Sequence, residues 1–165
     1  MTPIANVPPA ERLAPRVVPL WMLGGLLSTA LLGGGLFAAY LFVANRHEAY
    51  ASNAFVAWVV VTSLLLAFAL VTPTLSWLRW RFAVSDELLV LSHGILFHEE
   101  KAIPVSRMQH VDLTRGPIER LFGLATLVVF TAGNEGSAFR VPGLPVARAQ
   151  DIRDQILATR GDDVL

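Results

Sequence analysis

Two long stretches of the chain carry no ionisable side chain. Val17–Asn45 is 29 residues without Asp, Glu, Lys, Arg or His, and Ala49–Leu78 is 30. A helix needs about 20 apolar residues to cross the hydrocarbon core of a bilayer. Each stretch is therefore long enough for one crossing and too short for two. The link Arg46-His47-Glu48 is short, so the pattern predicts an antiparallel helical hairpin. Pro73 has no N–H to donate and predicts a kink or an end to the second helix near Thr72, with Leu75 to Trp80 leaving through the interface. Trp21 and Tyr40, like Trp58 and Trp77, stand nineteen residues apart. At about 1.5 Å per residue that spacing is about 28 Å, close to the separation of the two interfacial layers where Trp and Tyr collect.

Beyond residue 80 the pattern changes period. "RFAVSDELLVLSHG" places two apolar runs around the polar turn Ser85-Asp86-Glu87, and "GILFHEEKAIP" resumes after Gly94. These read as short strands and hairpins. Pro104 cannot donate to a ladder and should start a strand or lie on an edge. "VSRMQHVDL" reads as the next strand, ended by Arg115-Gly116-Pro117. The uncharged run Leu121–Asn134 is too short for a helical crossing. Past Gly123 it is rich in β-formers (Thr126, Val128, Val129, Phe130, Thr131), which suits a buried strand rather than a third span. Ile118 to Phe122 reads as one helical turn before it. Gly133-Asn134-Glu135-Gly136 reads as a tight reversal and "SAFRV" as the return strand. After Pro142-Gly143, Val146, Ala149, Ile152 and Ile156 share one face of a helix that starts at Pro145 and stops at Gly161.

Composition sharpens this division. The chain has 54% hydrophobic and 16% charged residues, against about 25% charged in an average soluble domain. Ten of the thirteen basic and eleven of the thirteen acidic side chains lie after Leu78. The sequence thus divides into an N-terminal tail (1–16), a two-helix transmembrane hairpin (17–78) and an α+β soluble domain (79–165). A signal peptide is a poor alternative. Ala49-Tyr50-Ala51 looks like a cleavage site, but the preceding apolar run is almost twice the usual signal core of about 7–15 residues. Lys and Arg counts near the span ends (Arg12 and Arg16, Arg46, then Arg79 and Arg81) favour both termini in the cytoplasm.

The chemistry-bearing residues are few. Net charge is zero and there is no cysteine, which argues against a nucleic-acid partner and removes disulfides and thiolate metal sites. His93, His98, Glu99, Glu100, His110 and Asp112 form the cluster that could be tested for metal binding or catalysis. Their spacing matches no zinc or nucleophile motif, and they read equally as polar residues on a half-solvated sheet. The sequence therefore indicates no catalytic residue, metal or cofactor. Small residues Gly24, Ser28, Gly35 and Ala39 recur at helical spacing and are candidates for close helix packing, within the hairpin or against another protein. Arg79 and Arg81 are candidates for lipid head-group contact. Arg107, Arg115 and Arg120 are candidates for partner binding, or for internal ion pairs with Asp112 and Glu119.

Several of these segments are similar to a known family. "RFAVSDELLVLSHGIL", "IPVSRMQHVDLTRGPIERLFGLATLVVFTAG" and "VPGLPVARAQDIRDQIL" resemble the pleckstrin-homology-like domain of the YdbS-like bacterial membrane proteins. The family pattern falls on Ile103-Pro104, Arg107-Met108-Gln109, Gly116-Pro117, Arg120, Gly123-Leu124-Ala125 and Thr131-Ala132-Gly133, with Met108 in place of the usual isoleucine. The resemblance implies a pleckstrin-homology-like fold, a bent antiparallel sheet closed by a C-terminal helix. It also implies a multi-pass protein of the bacterial cytoplasmic (inner) membrane that oligomerises with itself or with another membrane protein carrying similar domains. The leading expectation is a non-catalytic assembly or scaffolding protein. The alternative is a lipid- or small-ligand-binding membrane module. The first hairpin turn, Ser85-Asp86-Glu87, is acidic and unsuited to phosphoinositide head groups.

Overall fold

The structure is a computed structural model that describes residues 9–131 and 138–162. Two helices come first, α1 (Val17–Arg46) and α2 (Glu48–Arg79). Both are long and apolar enough to cross a membrane. The second runs through Pro73 to Arg79, so the proline does not end it. Helices in apolar surroundings can carry an internal proline; in the same turn Thr72 Oγ1 donates to the Phe68 carbonyl at 2.8 Å. The chain divides into two compact units, Val18–Leu75 and the remainder.

Within the hairpin unit, the aromatic residues Phe37, Tyr40, Phe55 and Trp58 pack together, their ring centroids 5.0–5.9 Å apart in tilted pairs. Trp58 is more than an interfacial marker. Its Nε1–H donates across the hairpin to the Gly33 carbonyl at 2.9 Å, a polar contact of the kind that helps hold helices together where no water competes.

The second unit is built from two three-stranded antiparallel sheets. The first orders β1 (Arg81–Val84), β2 (Leu88–His93) and β3 (Glu99–Pro104). Ser85 makes the β1–β2 turn: its hydroxyl accepts from the Leu88 N–H at 3.0 Å, and its own N–H donates to the Leu88 carbonyl at 2.9 Å. Pro104 closes β3, an edge strand, where its missing donor disturbs no ladder. The sequence places a strand at Val105, but residues Val105–Arg107 form one 3-10 turn. That turn carries the chain from one sheet to the other, and both Val105 and Met108 are buried by it. Met108, at the family's isoleucine position, is thus a core residue.

The second sheet orders β4 (Met108–Thr114), β5 (Leu124–Thr131) and β6 (Ala138–Pro145). Between β4 and β5 lies α3 (Pro117–Leu121). Glu119 organises its start: Oε2 accepts the Gly116 N–H at 2.7 Å and Oε1 accepts the Thr126 hydroxyl at 2.6 Å. Gly123 then turns the chain at φ +66°. The uncharged run becomes β5, whose Leu124, Ala125, Leu127, Val128 and Val129 are all buried. The reversal assigned to 133–136 and Ala132-Gly133 of the family pattern lie outside the described residues. The last helix, α4 (Val146–Asp162), extends past Gly161 and buries Ala149, Ile152 and Ile156, the face its periodicity predicts.

The segment read as an N-terminal tail supplies part of this core. Glu11 exchanges backbone hydrogen bonds with Phe82, at 2.7 Å and 3.0 Å, and so adds an antiparallel bridge to the β1 edge. The Ala14 N–H donates to the Gly143 carbonyl at 3.2 Å. Leu13 and Val17 are each only 1% exposed, and the Leu13 carbonyl accepts the Trp77 indole N–H at 2.8 Å. Val17 sits against Gly143, which has φ +66°; a Cβ there would lie 2.4 Å from Val17 Cγ2. Glycine satisfies both demands, the left-handed backbone and the missing side chain.

Leu13→Ala should therefore destabilise the second unit by about 2–4 kcal/mol, the usual cost of a large-to-small change in a core. Gly143→Ala should cost at least a comparable ~2 kcal/mol through combined strain and clash. Denaturant titration of the full chain in detergent, followed by tryptophan emission, measures both.

Candidate functional site

Arginines flank the apolar helices at both ends of the hairpin. The chain carries Arg12 and Arg16 before α1, and Arg79 and Arg81 at and after the end of α2. Arg81 Nη1 donates to the Leu78 and Trp80 carbonyls at 2.9 and 2.8 Å. Its guanidinium titrates below the ordinary arginine range, first through burial and then through repulsion from Arg12. Arg12 itself lies over the Trp77 ring, 5.9 Å from the centroid. Of the two sequence-selected residues, Arg81 thus stands close to Arg12. The sequence counted Arg12 and Arg16 only for topology and did not place Arg12 beside Arg81, a proximity that depends on the fold.

The partner candidates separate into two places. Arg107 precedes β4 and Arg115 follows it. Seven extended residues put about 23 Å between those ends at 3.3 Å per residue. Arg120 lies on α3, beyond Arg115. All three are exposed, and they do not form one patch. Arg115 Nε donates to the Leu124 carbonyl at 3.4 Å. Among the described residues no ion pair joins Arg115 or Arg120 to Asp112 or Glu119; Glu119 is committed to Gly116 and Thr126.

The histidines are placed by packing. His110 stacks on Phe130, its partner across β4–β5, at 4.2 Å between centroids. His93 stacks on Trp80 at 4.9 Å, and His98 Nε2 lies 3.3 Å from the Ser92 hydroxyl. Glu99 pairs with Lys101 at 2.8 Å, and the hydrogen bond from Lys101 is the main cause that holds its carboxyl below the usual range. Among the described residues no three His, Asp or Glu side chains converge as a metal site.

The small residues divide between two faces. A Cβ on Gly25 would lie 3.0 Å from Ala69 Cβ, and one on Gly33 would lie 3.1 Å from Thr62 Cγ2. With Thr29, 9% exposed, these two form the contact line of α1 on α2, at i, i+4 and i+8. Gly24 and Gly35 face open space, and Ser28 donates back to the Gly24 carbonyl at 2.9 Å. Ala39 lines a groove of the hairpin with Tyr40, Ala54 and Trp58. Adjacent glycines at 24–25 and 33–35 offer two faces about 100° apart, and only the position of the second helix selects one of them.

With this geometry in place, comparison with known proteins identifies the architecture. The Bacterial PH domain family matches residues 26–160, most of the chain and much of the hairpin as well as the sheets. The chain belongs to that family. It is also 27% identical over 158 residues, 94% of its length and 96% of the relative's, to the UPF0699 transmembrane protein YdbS of Bacillus subtilis (strain 168). No solved structure matches it. This is a membrane protein with a bacterial pleckstrin-homology-like domain.

The two glycine faces are separable by substitution. Gly25→Leu drives a side chain into Ala69 and its backbone and should destabilise the hairpin by about 1–3 kcal/mol, as overpacking does, whereas Gly24→Leu should be close to neutral. Unfolding in mixed micelles with increasing denaturing detergent distinguishes them.

Proposed function

We propose that the protein is a non-catalytic assembly subunit of the bacterial cytoplasmic membrane, crossing it twice with both termini inside and presenting its pleckstrin-homology-like domain to another membrane protein. One observation carries this reading. The outer edge of β1 is bridged by Glu11, but β4 is the edge strand of the second sheet, and exposed Arg107 and Arg115 stand at its two ends. An edge strand can accept an added strand from a partner through main-chain hydrogen bonds, and flanking cations select an acidic one and fix its register. The stacking of His110 and His93 on aromatic rings supports a structural use of the residues that otherwise look most like chemistry.

A second reading, a lipid- or small-ligand-binding module, is favoured by the grouping of Arg12 with Arg81. Anionic head groups would relieve their mutual repulsion, and each juxtamembrane cation gains about 1 kcal/mol at an anionic surface.

Photo-crosslinking in intact cells from a position on β4 should capture a discrete membrane-protein neighbour. Arg107→Glu combined with Arg115→Glu should reduce the yield about ten-fold, the scale of removing two interfacial charges, with the melting profile unchanged. A chain that is strictly monomeric after gentle extraction and captures no neighbour would overturn the assembly reading.

A further inference from the structure

The second unit exposes large apolar side chains where a water-soluble surface would not. Leu96 is 89% exposed and Phe97 84%, at the tip between β2 and β3; Leu121, on α3, is 85% exposed. The tip is a built turn. Gly94 adopts φ +118°, and a Cβ there would lie 1.8 Å from the Phe97 carbonyl oxygen, so the backbone folds tightly while the Leu96 and Phe97 side chains stay outside.

The register places this tip at one level of the domain. β1 begins at Arg81, the second residue after α2, and Arg81 pairs with Ser92. β1 therefore runs away from the end of the apolar helix and β2 runs back toward it. The turn after His93 therefore follows directly on the residues paired with the start of β1. The stacking of Trp80 on His93, 4.9 Å between centroids, puts the base of the tip beside the residue that leaves α2. Leu121 is tied to the start of the other apolar helix by an independent contact. Gly123, two residues on, lies near Arg16, whose Nη1 is 4.0 Å from where a Gly123 Cβ would be, and Arg16 directly precedes α1. The exposed apolar residues thus flank the two places where the chain passes into and out of its apolar helices. Trp80 and the surrounding arginines are the residue types that gather at a bilayer interface.

We propose that Leu96 and Phe97 of the β2–β3 tip, with Leu121 of α3, insert into the interfacial layer of the leaflet next to the domain, so that the domain rests on the membrane surface instead of swinging from its anchor. The occupant is lipid, held by apolar burial. The tip's nearest charges offer little net attraction: Glu99 is paired with Lys101 and Glu100 is exposed beside it. Apolar side chains that enter the boundary between head groups and acyl chains bind in proportion to the apolar area buried, with a separate contribution from anionic lipid only where cations supply it. The inference holds whether or not a protein partner docks on β4.

The absence of native cysteine makes the test direct. Leu96→Cys, Phe97→Cys and Leu121→Cys, each in the full chain, are labelled with an environment-sensitive fluorophore and reconstituted into phosphatidylcholine vesicles. Asp86→Cys, in the turn at the other end of β2, is the control. The expected result at positions 96, 97 and 121 is a blue-shifted emission, quenching by lipids carrying a nitroxide near the head group, and loss of quenching by aqueous iodide. The control should show the reverse. All four sites are exposed, and unchanged elution from a sizing column confirms folding. Iodide-accessible labels at 96 and 97 in these vesicles would overturn the proposal and leave the tip as a protein-docking surface. Lipid quenching that appears only when phosphatidylglycerol is added would also overturn it, because the attraction would then come from charge.

Discussion

The close approach of Val17 to Gly143 governs how the domain is built around its membrane connection. The chain must pass from an antiparallel sheet into an apolar helix, and the passage is packed, not loose. Leu13 and Val17 are buried, the Leu13 carbonyl holds the Trp77 indole, and Glu11 bridges to the first residues of β1. Glu11 also makes a two-pronged ion pair with Arg148 of α4, one bond being 3.1 Å from Nε. The hydrogen bond that Arg148 donates to Glu11 is the main cause that raises the Arg148 pKa. The pair is more than a third exposed on both sides, so its contribution is modest. The fully buried leucine and valine supply most of the attachment, at about 1.5–3 kcal/mol for each such side chain. The result is that the second unit is held by chain on both sides of the apolar hairpin.

Inside the hairpin a different solvent changes which groups matter. Lipid tails are as apolar as leucine, so helices associate through close backbone approach and a few interhelical hydrogen bonds. Gly25 against Ala69 and Gly33 against Thr62 provide the approach, and Trp58 to the Gly33 carbonyl provides the bond. In the sheets the ordinary logic of water applies. β2 alternates buried and less buried positions, whereas the apolar run of β5 is buried along most of its length and packs against α4.

The functional reading follows from what the domain leaves available. Its histidines are committed to ring stacking or a hydroxyl contact, Glu119 to the start of α3, and Glu11 to α4. What remains are backbone edges, exposed arginines and apolar tips.

Much of this was legible in the residues alone, because the signals were local. Charge-free length marks helices able to cross a bilayer, period-two alternation marks strands, and a short greasy run with β-branched residues beyond Gly123 reads as a buried strand. The motif Gly116-Pro117 through Gly123 carries its own turn chemistry. Other features required the tertiary structure because they depend on distant partners. Val105 turns instead of extending because the chain must change sheets there. Pro73 lies inside α2, although its missing donor reads locally as a helix end. Gly25, and not Gly24, makes the hairpin contact because only the second helix selects between adjacent glycines. The tail's role in the core was likewise decided by packing. Periodicity records which face of an element is apolar; it does not record which surface that face will meet.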